Sequence, residues 1–343
     1  MALAPGFIRA EALDLLAICA NVEGEVAAPI PPTPPGWTLL FDSPIIGAFD
    51  EKWQLWRSDA GAYAIGLRGT VMKVGSVLED LISLLVWAQG HIMVGHQSIE
   101  FQFAAEPDAG VHLGFVLGTL ILLKDPTNGI LAQLAKYGVA PGSDVYLTGH
   151  SQGAAMTTLL RSYFEYAPDA PPGLSYKTYV FAQPKPGNDH YATDFERQFS
   201  NAGLAFRVTN SLDWVPQVPF TLEMIRDVNH PNPLSVLASP SLLLHALMKV
   251  MEPLVSEARR LIERHSRPHL QQKAAALAQR VSPASVPTPP APFDAPFHPS
   301  LYFVNAGTDE ALIGTPCVGA ECHDAFFEHH VTTYYKLLQA QVP

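Results

Sequence analysis

The spacing of apolar side chains along the chain predicts strands that alternate with helices. Short apolar runs indicate strands, and apolar residues that recur every three or four positions indicate amphipathic helices. The predicted strands are residues 37–41, 62–67, 144–147, 178–182, 205–209 and, as the last, 301–305. The predicted helices are residues 10–22, 77–87, 111–124, 130–137 and 153–166. This order is typical of an α/β fold with a mostly parallel central sheet and helices on both faces.

One long segment departs from the alternation. Residues 220–281 have no strand pattern and predict two helices, at 240–265 and 268–280, the first of which should kink or break near Pro253. We therefore interpret residues 1–343 as a single domain with a helical insertion at 220–281. The insertion is either a surface element or a lid over the active site, because its leucine-rich first part is too apolar to face water freely.

Composition and charge narrow the class of protein. Apolar residues make up 48% of the chain and charged residues 15%. No stretch approaches the ~20 uninterrupted apolar residues of a membrane span, so no transmembrane segment is expected. The net charge of -11 argues against a nucleic-acid partner, because such binding depends on Lys and Arg that neutralise phosphates.

Neither the histidines nor the cysteines predict a metal site or cofactor. The 13 histidines are scattered, without the His-Glu-x-x-His spacing of a helical zinc site. Three cysteines do not make a disulfide framework, and although Cys317 and Cys322 are close enough in sequence to bridge, reduced cysteines are the expectation. The first residues lack a basic stretch followed by a continuous apolar run, which predicts a cytoplasmic protein or one exported without a cleaved signal peptide.

The strongest chemical signal is the sequence Gly-His-Ser-Gln-Gly at residues 149–153. A predicted strand precedes it and a predicted helix with small residues at its start follows it. In a nucleophile elbow the serine occupies a tight turn between strand and helix, and glycines flank it because neighbouring side chains would collide. Ser151 is therefore the predicted nucleophile of a serine hydrolase.

A serine nucleophile needs a histidine base and a carboxylate that orients the histidine. In an α/β-hydrolase both follow the serine, first the acid and then the histidine. Asp213, just after the strand at 205–209, is the preferred acid, and Asp189 and Asp227 are the alternatives. An aspartate before a proline-containing loop is also a common turn cap, which is the structural alternative for Asp213.

Three histidines lie after the last predicted strand, where the base is expected. They are His323, His329 and His330. A helical pattern begins close to this group, which would place one of these side chains near the serine. The residues alone do not decide among them.

Several separated segments resemble the class 3 lipase family, which comprises the fungal-type triacylglycerol lipases and their bacterial relatives. The segments are Leu-Arg-Gly-Thr at 67–70, Val-His-Leu-Gly-Phe at 111–115, Ala-Gln-Pro-Lys-Pro-Gly-Asn at 182–188 and the stretch 210–219. The resemblance implies an α/β-hydrolase fold with Ser151 as nucleophile.

The resemblance also implies roles for further residues. Asp213 would be the orienting acid and His329 the general base, with Thr70 and the backbone N–H of Gln152 as the oxyanion hole. His329 is preferred over its neighbour because an acidic residue often precedes the histidine of this family, as Glu328 does here. An aromatic residue five positions later, typical of the family, follows both histidines and does not separate them.

These observations predict a lipase that hydrolyses esters of long-chain fatty acids, such as triacylglycerols, through an acyl-enzyme. The apolar composition favours a water-insoluble substrate at a lipid–water interface. An esterase, a feruloyl esterase or a phospholipase would use the same scaffold. A different alternative is a catalytically inactive hydrolase-fold protein that binds a partner or a membrane through its apolar insertion.

Overall fold

The central feature of the computed structural model is a mixed β-sheet. The structure describes residues 3–46, 50–69, 84–94, 96–222, 227, 242–281, 293–318 and 323–341. The strands in these ranges are β1 (Trp37–Asp42), β2 (Lys52–Ser58), β3 (Tyr63–Arg68), β4 (Leu85–Trp87), β5 (Gln89–Val94), β6 (Gln97–Gln102), β7 (Gly110–His112), β8 (Asp144–His150), β9 (Ser175–Phe181), β10 (Ala205–Asn210), β11 (Phe293–Asp294) and β12 (Thr308–Leu312). The α-helices are α1 (Arg9–Glu23), α2 (Leu113–Lys124), α3 (Ile130–Lys136), α4 (Gln152–Tyr166), α5 (Asp189–Phe195), α6 (Leu242–Val281) and α7 (Val331–Ala340).

Within the described residues the main sheet has seven strands in the order β1-β2-β3-β8-β9-β10-β12. The five strands from β3 to β12 run parallel, and β1 and β2 add an antiparallel edge. The expectation of an α/β-hydrolase fold with a mostly parallel sheet is confirmed.

Side chains of the central strands alternate between two apolar layers. Val145 and Leu147 of β8 belong to the layer that α2, α4 and part of α6 cover, whereas Tyr146 between them packs into the layer under α1 and α7. Successive side chains of a strand point to opposite faces, so a sheet covered on both sides needs apolar residues at consecutive positions. Helices thus cover both faces, as predicted.

A buried polar cluster attaches α1 to the sheet. Lys177 of β9 is fully buried, and its Nζ donates to Glu11 Oε2 at 2.7 Å and to the carbonyl of Ala4 at 2.7 Å. The hydroxyls of Tyr146 and Tyr179 donate to the same carboxylate at 2.8 and 2.7 Å. A buried charge is stable only when it is paired and hydrogen-bonded, and these contacts fix α1 in one position on the sheet.

In the described part of the insertion, residues 242–281 form one long helix where two were predicted. Helix α6 continues through Pro253 and Pro268. Its last three turns bury Leu270, Ala274 and Leu277 against α2, in the same apolar layer as the sheet. Tertiary packing of this kind outweighs the local preference of proline to end a helix, so the predicted separation into two helices and the break near Pro253 are wrong.

Three other predicted elements differ from the observed ones. Residues 85–87 were expected to end a helix but form β4, which pairs with β7; residues 70–83 lie outside the described part of the chain. The helix predicted from 111 begins at Leu113, after β7. The last strand of the sheet is β12 and not residues 301–305. The segment of β12 is polar, with only Leu312 buried, and it forms a strand through its pairing with β10.

The strand β2 and the hairpin of β5 and β6 were not predicted.

Cys19 is free and buried, but Cys317 is disulfide-bonded, so the expectation of reduced cysteines is wrong at that position. None of the helices in the described ranges is both long and apolar enough to cross a membrane.

Candidate active site

Ser151 occupies the sharp turn between β8 and α4. The strand ends at His150 and the helix begins at Gln152, which leaves one residue for the change of direction. The backbone of Ser151 has φ 57° and ψ -131°. A positive φ is strained for a residue with a side chain, and here it projects the serine away from both neighbouring elements.

The flanking glycines are required by close backbone contacts. A Cβ on Gly149 would lie 2.4 Å from the carbonyl oxygen of Gly153, and a Cβ on Gly153 would lie 2.3 Å from that of Leu67. Both distances are well inside van der Waals contact. The two glycines therefore permit α4 to start directly against the ends of β8 and β3.

The structure brings Ser151, His329 and Asp213 into one chain of hydrogen bonds. His329 Nε2 lies 2.8 Å from Ser151 Oγ, and His329 Nδ1 lies 2.7 Å from Asp213 Oδ2. An ionised carboxylate only accepts hydrogen bonds, so Nδ1 carries the proton and Nε2 is left to accept from the serine hydroxyl. This is the arrangement in which a histidine can remove the proton of a serine.

Asp213 is buried and hydrogen-bonded on both oxygens. It is 2% exposed and follows β10, as predicted. The backbone N–H of Val215 donates to Oδ1 at 2.9 Å, and the hydroxyl of Tyr334 donates to Oδ2 at 2.8 Å. Burial by itself raises the pKa of Asp213, but the adjacent His329 ring and these hydrogen bonds hold that pKa below its ordinary value. The carboxylate thus stays ionised near neutral pH.

His329 is completely buried, which governs its protonation. Burial lowers its pKa below the ordinary value, and this effect exceeds the opposing effect of the Asp213 carboxylate; the charge of His150 lowers the pKa further. The ring is consequently neutral near pH 7 and able to accept a proton. A base that is mostly protonated at working pH would be inactive.

The other candidates from the sequence lie elsewhere. His330 is on the surface, where its Nε2 lies 2.6 Å from Asp324 Oδ2, and His323 is exposed. Asp189 is the first residue of α5, and the charge of Asp227 acts on His298. The structure brings His329 and Asp213 to the serine and none of these four.

The residues expected to form the oxyanion hole are only partly described. Gln152 is the first residue of α4, so its backbone N–H lies at the N-terminus of that helix. Thr70 lies outside the described residues. Gly69, immediately before it, is close to the elbow, because a Cβ at Gly69 would lie 2.3 Å from Gln152 Oε1.

Tyr334, His150 and Glu23 contribute to the site, and sequence reasoning assigned no role to any of them. Tyr334 contacts Asp213 directly, and His150 Nε2 lies 2.8 Å from the backbone oxygen of His329. Glu23 in turn contacts His150. Tyr334 stood out in sequence only as an aromatic residue five positions after a histidine, and the His150 side chain only as the neighbour of the serine.

One cluster outside this centre could hold a metal ion. Glu106, Asp108 and His190 each offer one ligand atom, and these atoms lie within 4.8 Å of one another. The group is partly exposed, and exposed acidic side chains often lie this close without an ion. A serine–histidine–aspartate centre needs no metal for its chemistry.

Comparison with known proteins identifies the central part of the chain. Residues 64–223 match the family model described as lipase (class 3). Three similar solved structures are a Rhizomucor miehei lipase propeptide complex, a Yarrowia lipolytica lipase and lipase II from Rhizopus niveus. Their sequence identities are 18%, 18% and 20%, and their TM-scores are 0.44, 0.45 and 0.41.

The matches cover 62%, 64% and 62% of this chain, and 62%, 78% and 72% of the respective relatives. The chain thus spans about three fifths of the Rhizomucor complex. The resemblance expected from the sequence is confirmed for residues 64–223, which hold Ser151 and Asp213 and match the class 3 lipase model.

Proposed function

We propose that this protein hydrolyses carboxylic esters through an acyl-enzyme on Ser151. The observation that carries the proposal is the continuous hydrogen-bonded chain from Ser151 Oγ through the His329 ring to Asp213, with distances of 2.8 and 2.7 Å. A surface histidine or a turn-capping aspartate would not be expected to form such a chain inside the protein. The burial of both side chains and the directions of their pKa shifts agree with the proposal, because His329 is neutral and Asp213 is ionised near pH 7.

The reaction proceeds in two steps. Ser151 Oγ attacks the ester carbonyl carbon while its proton moves to His329 Nε2, and Asp213 stabilises the imidazolium that forms. The C–O bond to the alcohol then breaks, and the alcohol leaves with the proton from His329. Water attacks the acyl-enzyme in the same way, which releases the carboxylic acid and restores the serine.

The negative oxygen that develops during each attack needs hydrogen-bond donors. We assign this role to the backbone N–H of Gln152 and to Thr70. Gln152 supports the assignment by its place at the start of α4, directly after the nucleophile. Each donor of this kind contributes ~3 kcal/mol to transition-state stabilisation.

For the substrate we propose esters of long-chain fatty acids, such as triacylglycerols. Leu212 is 43% exposed and Phe220 is 81% exposed, and both lie in the segment that carries Asp213. Exposed apolar side chains beside an active site favour an apolar substrate. The lid interpretation of residues 220–281 stays a prediction. Leu270 and Leu277 are buried in the core, so a lid would be formed by the part of that segment that precedes them.

The first test is hydrolysis of p-nitrophenyl esters from C2 to C18 by wild type and Ser151→Ala. We expect activity that rises toward longer chains, and a loss of at least ~10³-fold in kcat for the variant. A wild type inactive on every ester, or a variant as fast as wild type, would refute the proposal. Activity confined to C2–C4 esters would favour an esterase over a lipase.

The assignment of the base has a matched control in the neighbouring residue. His329→Ala should lose activity to a similar extent as the serine variant, because the two act as one unit. His330→Ala removes an imidazole from the surface and should retain activity within about twofold. If only His330→Ala abolished turnover, the assignment would be wrong.

A further inference from the structure

His150 is a buried polar side chain that has no part in the two steps above. It is the last residue of β8, its side chain is 3% exposed, and it directly precedes Ser151. Its Nδ1 lies 3.2 Å from Glu23 Oε1, and its Nε2 lies 2.8 Å from the backbone oxygen of His329. Both partners are acceptors, so with Glu23 ionised both ring nitrogens donate and the ring is an imidazolium.

The surrounding charges agree with a cationic ring. Burial alone lowers the pKa of His150, but the charge and hydrogen bond of Glu23, together with the charges of Asp213 and Glu25, raise that pKa above its ordinary value. The titratable groups that face the ring are Glu23 at the end of α1, Glu25 beyond it, Asp213 after β10, His329 before α7, and Tyr334 of α7. Acidic groups dominate this set.

His150 contacts both the backbone and the ring of His329. The carbonyl of His329 accepts from His150, and its N–H donates to the carbonyl of Phe326 at 2.8 Å. The two imidazole rings also pack together, with centroids 4.6 Å apart and planes inclined by 38°. Contacts of the His329 ring with Asp213 and Ser151 require a fixed backbone, because a base displaced by 1 Å no longer reaches the hydroxyl.

Glu23 belongs to a rigid element outside the family match. It ends α1, which the Glu11–Lys177 contacts attach to the sheet. Arg9 Nε of the same helix donates to the carbonyl of Leu338 in α7 at 2.7 Å, so α1 also holds the helix that follows His329. Glu23 therefore presents its carboxylate from a fixed position.

We propose that Glu23 and His150 form a positioning pair that fixes the backbone of His329 and thereby holds its ring between Asp213 and Ser151. The inference rests on the proposed function, and it makes α1 part of the active-site architecture. Neither residue touches the substrate. His150 anchors the base, and Glu23 keeps His150 charged and oriented.

The pair is tested by kcat and KM for p-nitrophenyl butyrate between pH 5 and 9. His150→Leu removes both charge and hydrogen bond, and we expect kcat to fall about 10–100-fold with KM changed less than about twofold. His150→Gln retains a donor for the His329 carbonyl and should recover most of kcat. In both variants the acid limb of the pH profile should move to higher pH, because the cation that lowers the pKa of His329 is gone and Glu23 remains.

Two comparisons separate a specific pair from a general loss of structure. Glu25→Gln removes a carboxylate that acts on His150 by charge alone and makes no hydrogen bond to it, so this variant should stay within about twofold of wild type. The double variant Glu23→Gln/His150→Leu should lose no more activity than His150→Leu, because members of one unit are not additive. Losses that multiply would overturn the pair, as would a folded His150→Leu protein with unchanged kcat and acid limb.

A measurement without turnover separates this inference from the proposed function. Loss of activity in Ser151→Ala with wild type active establishes the function, whatever His150 does. Nitrogen-15 NMR of the histidine rings at pH 7, assigned by the signals missing in His150→Gln, should show both nitrogens of His150 protonated. A neutral His150 ring would overturn the pair even if His150→Leu fails to fold or wild type hydrolyses no ester.

Discussion

Replacing Tyr334 by Phe removes one hydroxyl from behind the Ser151–His329–Asp213 centre and leaves the ring in place. The hydroxyl donates to Asp213 Oδ2 at 2.8 Å and accepts from the backbone N–H of Asn210 at 3.1 Å. Tyr334 and Asn210 are both 0% exposed. Water therefore cannot replace either hydrogen bond when the hydroxyl is absent.

The magnitude follows from these two bonds. A hydrogen bond to a charged group contributes about 1.5–3 kcal/mol, and a buried N–H left unpaired costs about 1–3 kcal/mol. Allowing for relaxation around the site, we expect the free energy of unfolding to fall by ~3 kcal/mol. With an unfolding entropy of about 2.1 cal/mol/K per residue, 343 residues have ~0.7 kcal/mol/K, so Tm should fall by ~4 °C.

Activity should respond less than stability. Asp213 retains its hydrogen bond from Val215 and its contact with His329. The carboxylate therefore remains ionised at pH 7, and we expect kcat for p-nitrophenyl butyrate to fall by less than about tenfold. A loss as large as that of Ser151→Ala would contradict this reasoning.

Tyr335→Phe is the matched control for thermal unfolding followed by circular dichroism. Tyr335 is the next residue of α7, and over the described residues its hydroxyl has no hydrogen-bond partner. Its Tm should stay within ~1 °C of wild type. If Tyr334→Phe unfolded at the same temperature as Tyr335→Phe, the hydrogen bonds to Asp213 and Asn210 would not contribute as argued.

Three further predictions concern stability. Gly153→Ala places a Cβ 2.3 Å from the backbone oxygen of Leu67, so it should lower both Tm and ester hydrolysis, and a wild-type Tm would refute the steric argument. Leu277→Ala opens a cavity between α6 and α2 and should reduce the free energy of unfolding in urea by about 2–5 kcal/mol, whereas Leu261→Ala, at a position 58% exposed, should change it by less than about 0.5 kcal/mol. Burial lowers the pKa of His298 to about 4, so the unfolded chain binds a proton that the native protein does not between pH 6.5 and 4. As the pH is lowered through this window, the free energy of unfolding should therefore fall by about 1–2 kcal/mol more in wild type than in His298→Leu. Urea titrations at pH 7 and pH 5 that show the same change for both proteins would contradict this.

The part of the fold that the sequence predicted is the part that local patterns determine. Strands β3, β8, β9 and β10 are apolar at consecutive positions because helices cover both faces of the sheet. The elbow is also local, since Gly149 and Gly153 lie within five residues of each other and a Cβ on Gly149 would meet the backbone of Gly153 itself. Asp213 follows directly from the end of β10, so its place was predictable once the strand was recognised.

The remaining parts depend on contacts between distant residues. β12 has the sequence Thr-Asp-Glu-Ala-Leu and resembles a loop until β10 pairs with it. His150 and Glu23 are 127 residues apart, and His150 and His329 are 179 residues apart. No pattern within a short stretch of sequence relates such distant positions. The contacts that His150 and Glu23 make around His329 were therefore not predicted, although His329 itself was.

The regions on either side of the family match complete the site. Residues 64–223 supply Ser151 and Asp213, but the base comes from position 329 and the carboxylate that faces His150 comes from α1. Helices α1 and α7 pack in one apolar layer beneath β8, with Leu16 and Tyr334 among its buried members. A displacement of either helix would therefore reach His329 before Ser151, because the serine is held by the turn between β8 and α4, whereas His329 lies two residues before α7 and its carbonyl accepts from His150, which Glu23 of α1 contacts. The position of the proposed base thus depends on the packing between α1 and α7. Changes in that packing should alter kcat and the acid limb of the pH profile while the elbow stays intact.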